Sequence, residues 1–181
     1  MALHHDLLEQ AEHLVRRERQ KPKQASLRRA VSAAYYALFH LLVSDGARLL
    51  SPRQPPGLRE RIQRAFNHGD MRAVCKPFVD ADKTFRRGGQ PNQVPAPTRA
   101  LLTFPLEPAL VTVLETFVEL QEARHQADYD PTKTWNRLDA ESLVDTARTA
   151  FASWQTVRRT PNAMVFATAL LLQKQWRRGL S

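Results

Sequence analysis

Arg124, His125, Asp128 and Tyr129 stand together in Arg124-His-Gln-Ala-Asp-Tyr-Asp130, a set with which phosphate chemistry can be done. A guanidinium holds a phosphate, an imidazole titrates close enough to neutrality to move a proton, and a carboxylate orients the arginine. Arg124 and Asp128 are four residues apart, as are His125 and Tyr129, so on a helix all four project from one side. A second polar row, Arg29, Ser32, Tyr36 and His40, recurs at helical spacing earlier in the chain. It runs beside the apolar stripe Leu27, Val31, Ala34, Leu38 and Leu41. Polar groups are therefore expected between two packed helices. Quieter explanations stand beside this one. Arg124 with Asp128 is also an ordinary intrahelical ion pair worth a few tenths of a kcal/mol, Tyr35 and Tyr36 suit core aromatics, and His40 suits a satisfied core histidine.

The elements that must position these groups read as helices throughout. A first helix is expected from Asp6 to Gln20, ended by Pro22, and a second from Ser26 to Leu50, stopped by Ser51-Pro52. Two short helices follow, Leu58 to Phe66 and Met71 to Phe78, separated by Asn67-His-Gly69. The stretch 79–105, with Arg86-Arg-Gly-Gly89 and prolines at 91, 95, 97 and 105, reads as a mobile loop insertion. A strongly apolar helix then runs to about Asp128 and is ended by Asp130-Pro131. A helix capped by Asp139 reaches about Thr160, and the last spans Asn162 to Trp176. No β-alternation of useful length appears. The expectation is one all-α domain over 1–181, an antiparallel bundle of four to five main helices.

Composition limits the function classes. The single cysteine, Cys75, has no thiol partner for a disulfide or a metal, and His40, His68 and His125 lie at no metal-ligand spacing, so no metal and no cofactor are expected. The chain starts without the apolar core of a signal peptide and has no long apolar run, which points to a soluble, cytoplasmic protein without membrane contact. Glycine-rich phosphate loops, paired metal-binding carboxylates and serine or cysteine nucleophiles beside a base are missing, which disfavours the hydrolases that use them. The net charge is +9, and between Arg48 and Arg99 eleven basic residues face four acidic ones. A polyanion is the partner that such a surface suits, although an arginine-rich protein is also basic for reasons of composition alone.

Four segments carry a resemblance to a known family. Arg28-Arg-Ala-Val-Ser-Ala-Ala-Tyr-Tyr-Ala-Leu-Phe-His40, Arg64-Ala-Phe-Asn-His-Gly-Asp-Met71, Ala123 to Asp130, and the ending from Ala169 to Arg178 resemble the HEPN domains, small α-helical proteins associated with nucleotide binding and RNA cleavage. The resemblance implies a metal-independent ribonuclease site: an arginine on the scissile phosphate, then, after four to six intervening residues, a histidine that moves the 2′-hydroxyl proton. Arg124 takes the arginine's place, but Tyr129, Asp130 and Pro131 occupy the histidine positions, so either the catalytic histidine has been replaced or His125 serves from a different position. Arg61 and His68 also satisfy the spacing, at a frequency chance supplies easily. The site candidates are therefore Arg124, His125, Asp128 and Tyr129, then Arg61 and His68. Arg29, Tyr36, Arg64, Arg86 and Arg87 are the candidates for nucleic-acid contact. The resemblance further implies a homodimer that binds RNA or a nucleotide, with a cognate antitoxin or defence-system protein as a possible partner. The alternative is a non-catalytic, partner-binding or nucleotide-sensing module whose activity resides in another chain, and a third reading is a structural adaptor recruited through 79–105.

Overall fold

The computed structural model describes residues 2–53, 55–66 and 68–178, with all side chains except those of 56, 68–70 and 173–178. It is all-α, with eight helices and no strand among the described residues. They are α1 (Leu3–Arg16), α2 (Gln24–Leu50), α3 (Pro56–Ala65), α4 (His68–Arg86), α5 (Ala96–Arg99), α6 (Pro108–Tyr129), α7 (Arg137–Val157) and α8 (Pro161–Arg178). Five of them, α2, α4, α6, α7 and α8, have 18 residues or more. The chain gathers into two compact units, one of residues 1–41 and 116–152, the other of 42–115 and 153–181, with the divisions falling inside α2, α6 and α7.

In the first unit the inward stripe of α2, Leu27, Val31, Ala34, Tyr35 and Leu38, is fully buried, as are Phe117 and Leu120 of α6. Small residues Ala140, Ala147 and Ala150 give α7 its buried stripe, and Leu8, Ala11 and Val15 do the same for α1. Arg148 fixes α1 to α7 by reaching both Glu12 (2.6 Å) and Asp145 (2.6 Å). The helix expected from Asp6 to Gln20 begins earlier and stops at Arg16. Beyond it, the Glu18 carboxylate accepts from the Ser26 hydroxyl at 2.9 Å and the Lys23 amide at 3.3 Å, so this turn serves the start of α2 instead of prolonging α1.

The cap of α7 is Asn136, not the expected Asp139. Asn136 Oδ1 accepts the Asp139 amide at 2.8 Å while its Nδ2 donates to Asp139 Oδ2 at 2.9 Å. The first bond is an N-cap bond, and the second ties the Asn136 side-chain amide to the Asp139 carboxylate, holding the cap in place. Likewise α8 starts at Pro161, with Thr160 Oγ1 accepting from the Ala163 amide at 3.3 Å. Asn162 is buried and bridges Thr103 and Glu107.

In the second unit Trp154, Phe166 and Phe78 form an aromatic core, with Phe78 and Trp154 at 5.7 and 6.3 Å from the Phe166 ring. Asp45 is buried beside them and accepts from Trp154 Nε1 (3.2 Å) and Arg158 Nη1 (3.0 Å). At Gly46 the packing is tight: a Cβ there would stand 3.3 Å from the Phe66 ring, which would have to shift by a few tenths of an ångström.

The stretch expected as a loop from 79 is helix as far as Arg86, and the break expected after Phe78 does not occur. Pro77 sits inside α4, where it costs about 3 kcal/mol. Met71, Val74, Phe78 and Val79 are all buried, at about 1.5–3 kcal/mol each, which outweighs that cost. The helix ends at Arg86 because Gly88 (φ 80°) donates to Phe85 O at 2.9 Å and Gly89 to Thr84 O at 3.0 Å. These two bonds are a Schellman cap, and Arg86-Arg-Gly-Gly89 is therefore a helix terminus. The chain from 87 to 107 is further tied down by Gln93 to Thr84 (2.8 Å) and by the short helix α5.

Candidate functional site

The site begins with an electrostatic conflict. Asp128 lies in the last turn of α6, where unpaired carbonyls make the helix end negative, and α6 has no basic residue of its own in that turn. Its carboxylate is compensated from two sides. Ser32 donates to Oδ1 at 2.6 Å, and Arg124 Nε stands 2.7 Å from Oδ2 as an ion pair, not a directed hydrogen bond. The carbonyls themselves are met from α2: Arg28 Nη1 donates to Ala127 O (2.8 Å) and Asp130 O (2.9 Å), and Nη2 donates to Lys133 O.

Arg124 is enclosed by tyrosines. Its Nη2 donates to the Tyr36 hydroxyl at 2.8 Å, and its guanidinium carbon lies 5.9, 5.4 and 5.3 Å from the ring centres of Tyr35, Tyr36 and Tyr129. Its side chain is 16% exposed and that of Asp128 21%, so the pair is covered without being sealed. Burial opposes the charge on Arg124, but Tyr36, Asp128 and Tyr129 outweigh it and raise its pKa above the ordinary arginine value. Tyr129 itself is exposed, and the exposed His125 ring packs on it at 5.2 Å.

The structure therefore brings Arg124, His125, Asp128, Tyr129 and Tyr36 together in the first unit. At two of the three positions where the resemblance asks for histidine, the residues have other work. Tyr129 covers Arg124, and Asp130 closes the turn by accepting from Thr132 N (2.9 Å), Thr132 Oγ1 (2.6 Å) and Lys133 N (3.2 Å). Those bonds, the Thr132 hydroxyl first, hold the Asp130 carboxyl below the usual aspartate range. Arg29 is exposed and takes no place in the cluster; the arginine of α2 that faces α6 is Arg28. The spacing explains this, since 28, 32 and 36 recur every four residues along one face, whereas 29 is turned away from it. Gln24 completes the support by bonding both the carbonyl (2.7 Å) and the amide (2.9 Å) of Trp135. An open cleft lined by Gln24, Arg28, Asp128, Tyr129 and Lys133 lies beside the cluster.

Arg61, Arg64, Arg86 and Arg87 belong to the second unit. Arg61 and Arg64 are exposed on α3, and the His68 side chain lies outside the described residues. Arg86 is tied into the fold, with Nε donating to Asp82 Oδ2 at 2.6 Å and Nη2 to Leu106 O at 3.0 Å, while its side chain stays 46% exposed. Arg87 is exposed in the turn that follows. Burial pushes the Cys75 thiol far above its ordinary pKa, which makes it an inert core residue.

Among the described residues no three His, Cys, Asp or Glu side chains are placed to hold a metal ion, and no helix is long and apolar enough to cross a membrane. Comparison with models of protein families, with curated proteins and with solved structures returns no match.

Proposed function

We propose that the protein is a HEPN-like module that binds RNA through the Arg124 cluster, acting as a homodimer. The observation that carries the reading is the enclosure of Arg124 by Tyr35, Tyr36 and Tyr129 beside an open cleft. Such stacking also stabilises a fold, but beside an open cleft it holds the guanidinium where a ligand can approach it. Here Nη2 donates to Tyr36, Nε is in ion-pair contact with Asp128, and the guanidinium is held in one orientation by its neighbours. A phosphate oxygen displacing Asp128 from Nε would meet a pre-oriented donor, and Tyr129 offers a ring to an adjacent base. The basic segment from Arg48 to Arg99 supplies the unspecific attraction.

The test is binding of single-stranded RNA across a salt series, with Arg124→Ala beside the parent. The parent's affinity should fall steeply with salt. Arg124→Ala should weaken binding and lower the slope of log K against log salt by about 0.7, the value for one phosphate lost from a single strand. An affinity that does not change with salt would overturn the reading, and sedimentation at micromolar concentration checks the dimer.

A second reading, metal-independent RNA cleavage, rests on His125, which is exposed and packed on Tyr129. If it holds, cleavage survives a chelator, leaves a cyclic phosphate and is lost in His125→Ala. Should Arg61 and His68 form the site instead, His68→Ala abolishes cleavage and His125→Ala leaves it whole. If RNA is bound and neither histidine matters, the module is non-catalytic and its activity lies with a partner, such as a toxin–antitoxin or defence-system protein.

A further inference from the structure

The second unit contains an aromatic surface that the Arg124 cluster does not use. Phe85, in the last turn of α4, is 39% exposed, and its ring is backed by that of half-buried Phe104, with centres 5.5 Å apart and planes 30° from parallel. The two residues come from segments that a charged clamp holds together. Buried Asp82 accepts the Leu106 amide at 2.8 Å, Arg86 donates to the Leu106 carbonyl at 3.0 Å, and Asp82 and Arg86 meet at 2.6 Å. Both backbone groups of Leu106 are thus fixed to α4, which sets Phe104 against Phe85 in advance of any ligand. The Schellman cap immediately after Phe85 presents Arg87 to solvent.

We propose that Phe85, supported by Phe104, is a stacking platform for a base of single-stranded RNA, with Arg87 on the neighbouring phosphate. The inference rests on the RNA-binding reading above and adds a second contact to it. Two observations favour RNA over a protein partner. An exposed ring backed by a second ring matches the face of one base. The surrounding segment, Arg48 to Arg99, has the positive charge that a nucleic-acid strand demands.

The experiment measures binding of a short adenosine RNA and of the same strand with abasic positions, using Phe85→Ala, Phe85→Leu and Phe85→Tyr. Stacking is worth about 1–3 kcal/mol per base, so Phe85→Ala should weaken the adenosine strand roughly 5- to 150-fold. Phe85→Leu should lose nearly as much, Phe85→Tyr should bind like the parent, and none of the three should change affinity for the abasic strand or the salt slope. Parent-like binding by Phe85→Ala or Phe85→Leu, or equal losses on both strands, overturns the platform. If Arg124→Ala weakens binding and Phe85→Ala does not, the platform alone fails. If Phe85→Ala weakens binding and Arg124→Ala is silent, the cluster reading fails and the platform stands. A parent that binds neither strand overturns both.

Discussion

The molecule contains two aspartate–arginine pairs with the same spacing and the same atoms in contact, and they do opposite things. In the second unit Asp82 precedes Arg86 by four residues, the order that agrees with the helix dipole. Its carboxylate is 2% exposed and also takes the Leu106 amide, so the pair joins two segments. In the first unit the order is reversed. Arg124 precedes Asp128, the acid sits at the negative end of α6, and both side chains remain partly open. That arrangement opposes local electrostatics and requires Ser32 and Arg28 from α2 to sustain it. The pair that agrees with its helix and buries its acid joins two segments, whereas the pair that opposes its helix depends on Ser32 and Arg28 of α2 for support.

The comparison is tested most directly by removing each acid. Asp82→Ala leaves a buried Leu106 amide without its acceptor and frees Arg86 from its partner, and should cost about 2–3 kcal/mol in urea unfolding. Asp128→Ala removes a partly exposed pair at an unfavourable helix end, and should cost at most about 1 kcal/mol. Equal costs would remove the distinction between the pairs. If Asp128→Ala also tightens RNA binding, because the guanidinium no longer has an internal competitor, the distinction gains functional content.

Glycine offers a smaller contrast within the second unit. At Gly88 the backbone is left-handed, so Gly88→Ala should destabilise by about 1–2 kcal/mol and loosen the cap that presents Phe85 and Arg87. Gly57 lies in the first turn of α3 with nothing within 4 Å of its absent Cβ, and Gly57→Ala should stabilise by about 0.4–1 kcal/mol. Thermal unfolding of the two variants side by side checks both signs. A stabilised Gly88→Ala would mean that α4 does not end in a Schellman cap.

The same cap shows what could be read from the chain and what could not. Helical periodicity placed α2 and α6, and the four-residue spacing put Arg124 with Asp128 and His125 with Tyr129 before any coordinates. The choice between Arg28 and Arg29 was harder, because adjacent arginines differ only by the turn of the helix against a neighbour that local sequence does not name. Arg28 was legible in principle, since it continues the series through Ser32 and Tyr36. For α4 the local signals were misleading. The prolines and glycines between 79 and 105 suggested a loop from Val79 that burial of Val79 and Ala81 overrode, and Arg86-Arg-Gly-Gly89 looked like flexible chain although glycine at this place is a common helix stop. No local pattern announces that Asp82 and Arg86 hold Leu106, which lies 24 and 20 residues further on. At α7, Asn136 and Asp139 both suit a cap, and their reciprocal bonds decide between them.

The smallest expected effect concerns the turn on which the first unit's cluster depends. Asp130 accepts from the Thr132 hydroxyl and from two backbone amides, and its carboxyl is held below the ordinary aspartate range, chiefly by Thr132. A carboxyl with a lowered pKa in the folded state stabilises that state above its unfolded pKa, and the contribution disappears as pH falls through the folded value. The stability difference between the parent and Asp130→Ala should therefore be constant near neutrality and shrink only at acid pH, below the ordinary aspartate range. Thr132→Val removes the largest single cause and should move the Asp130 titration, followed by carboxyl NMR, back toward that range. Because Arg28 binds the carbonyls of Ala127, Asp130 and Lys133 together, the same variant should loosen Arg28 and shift the resonances of Ser32 and Arg124. If Asp130 titrates like a free aspartate in the parent, the turn is not closed as described, and the support assigned to Arg28 at the end of α6 falls with it.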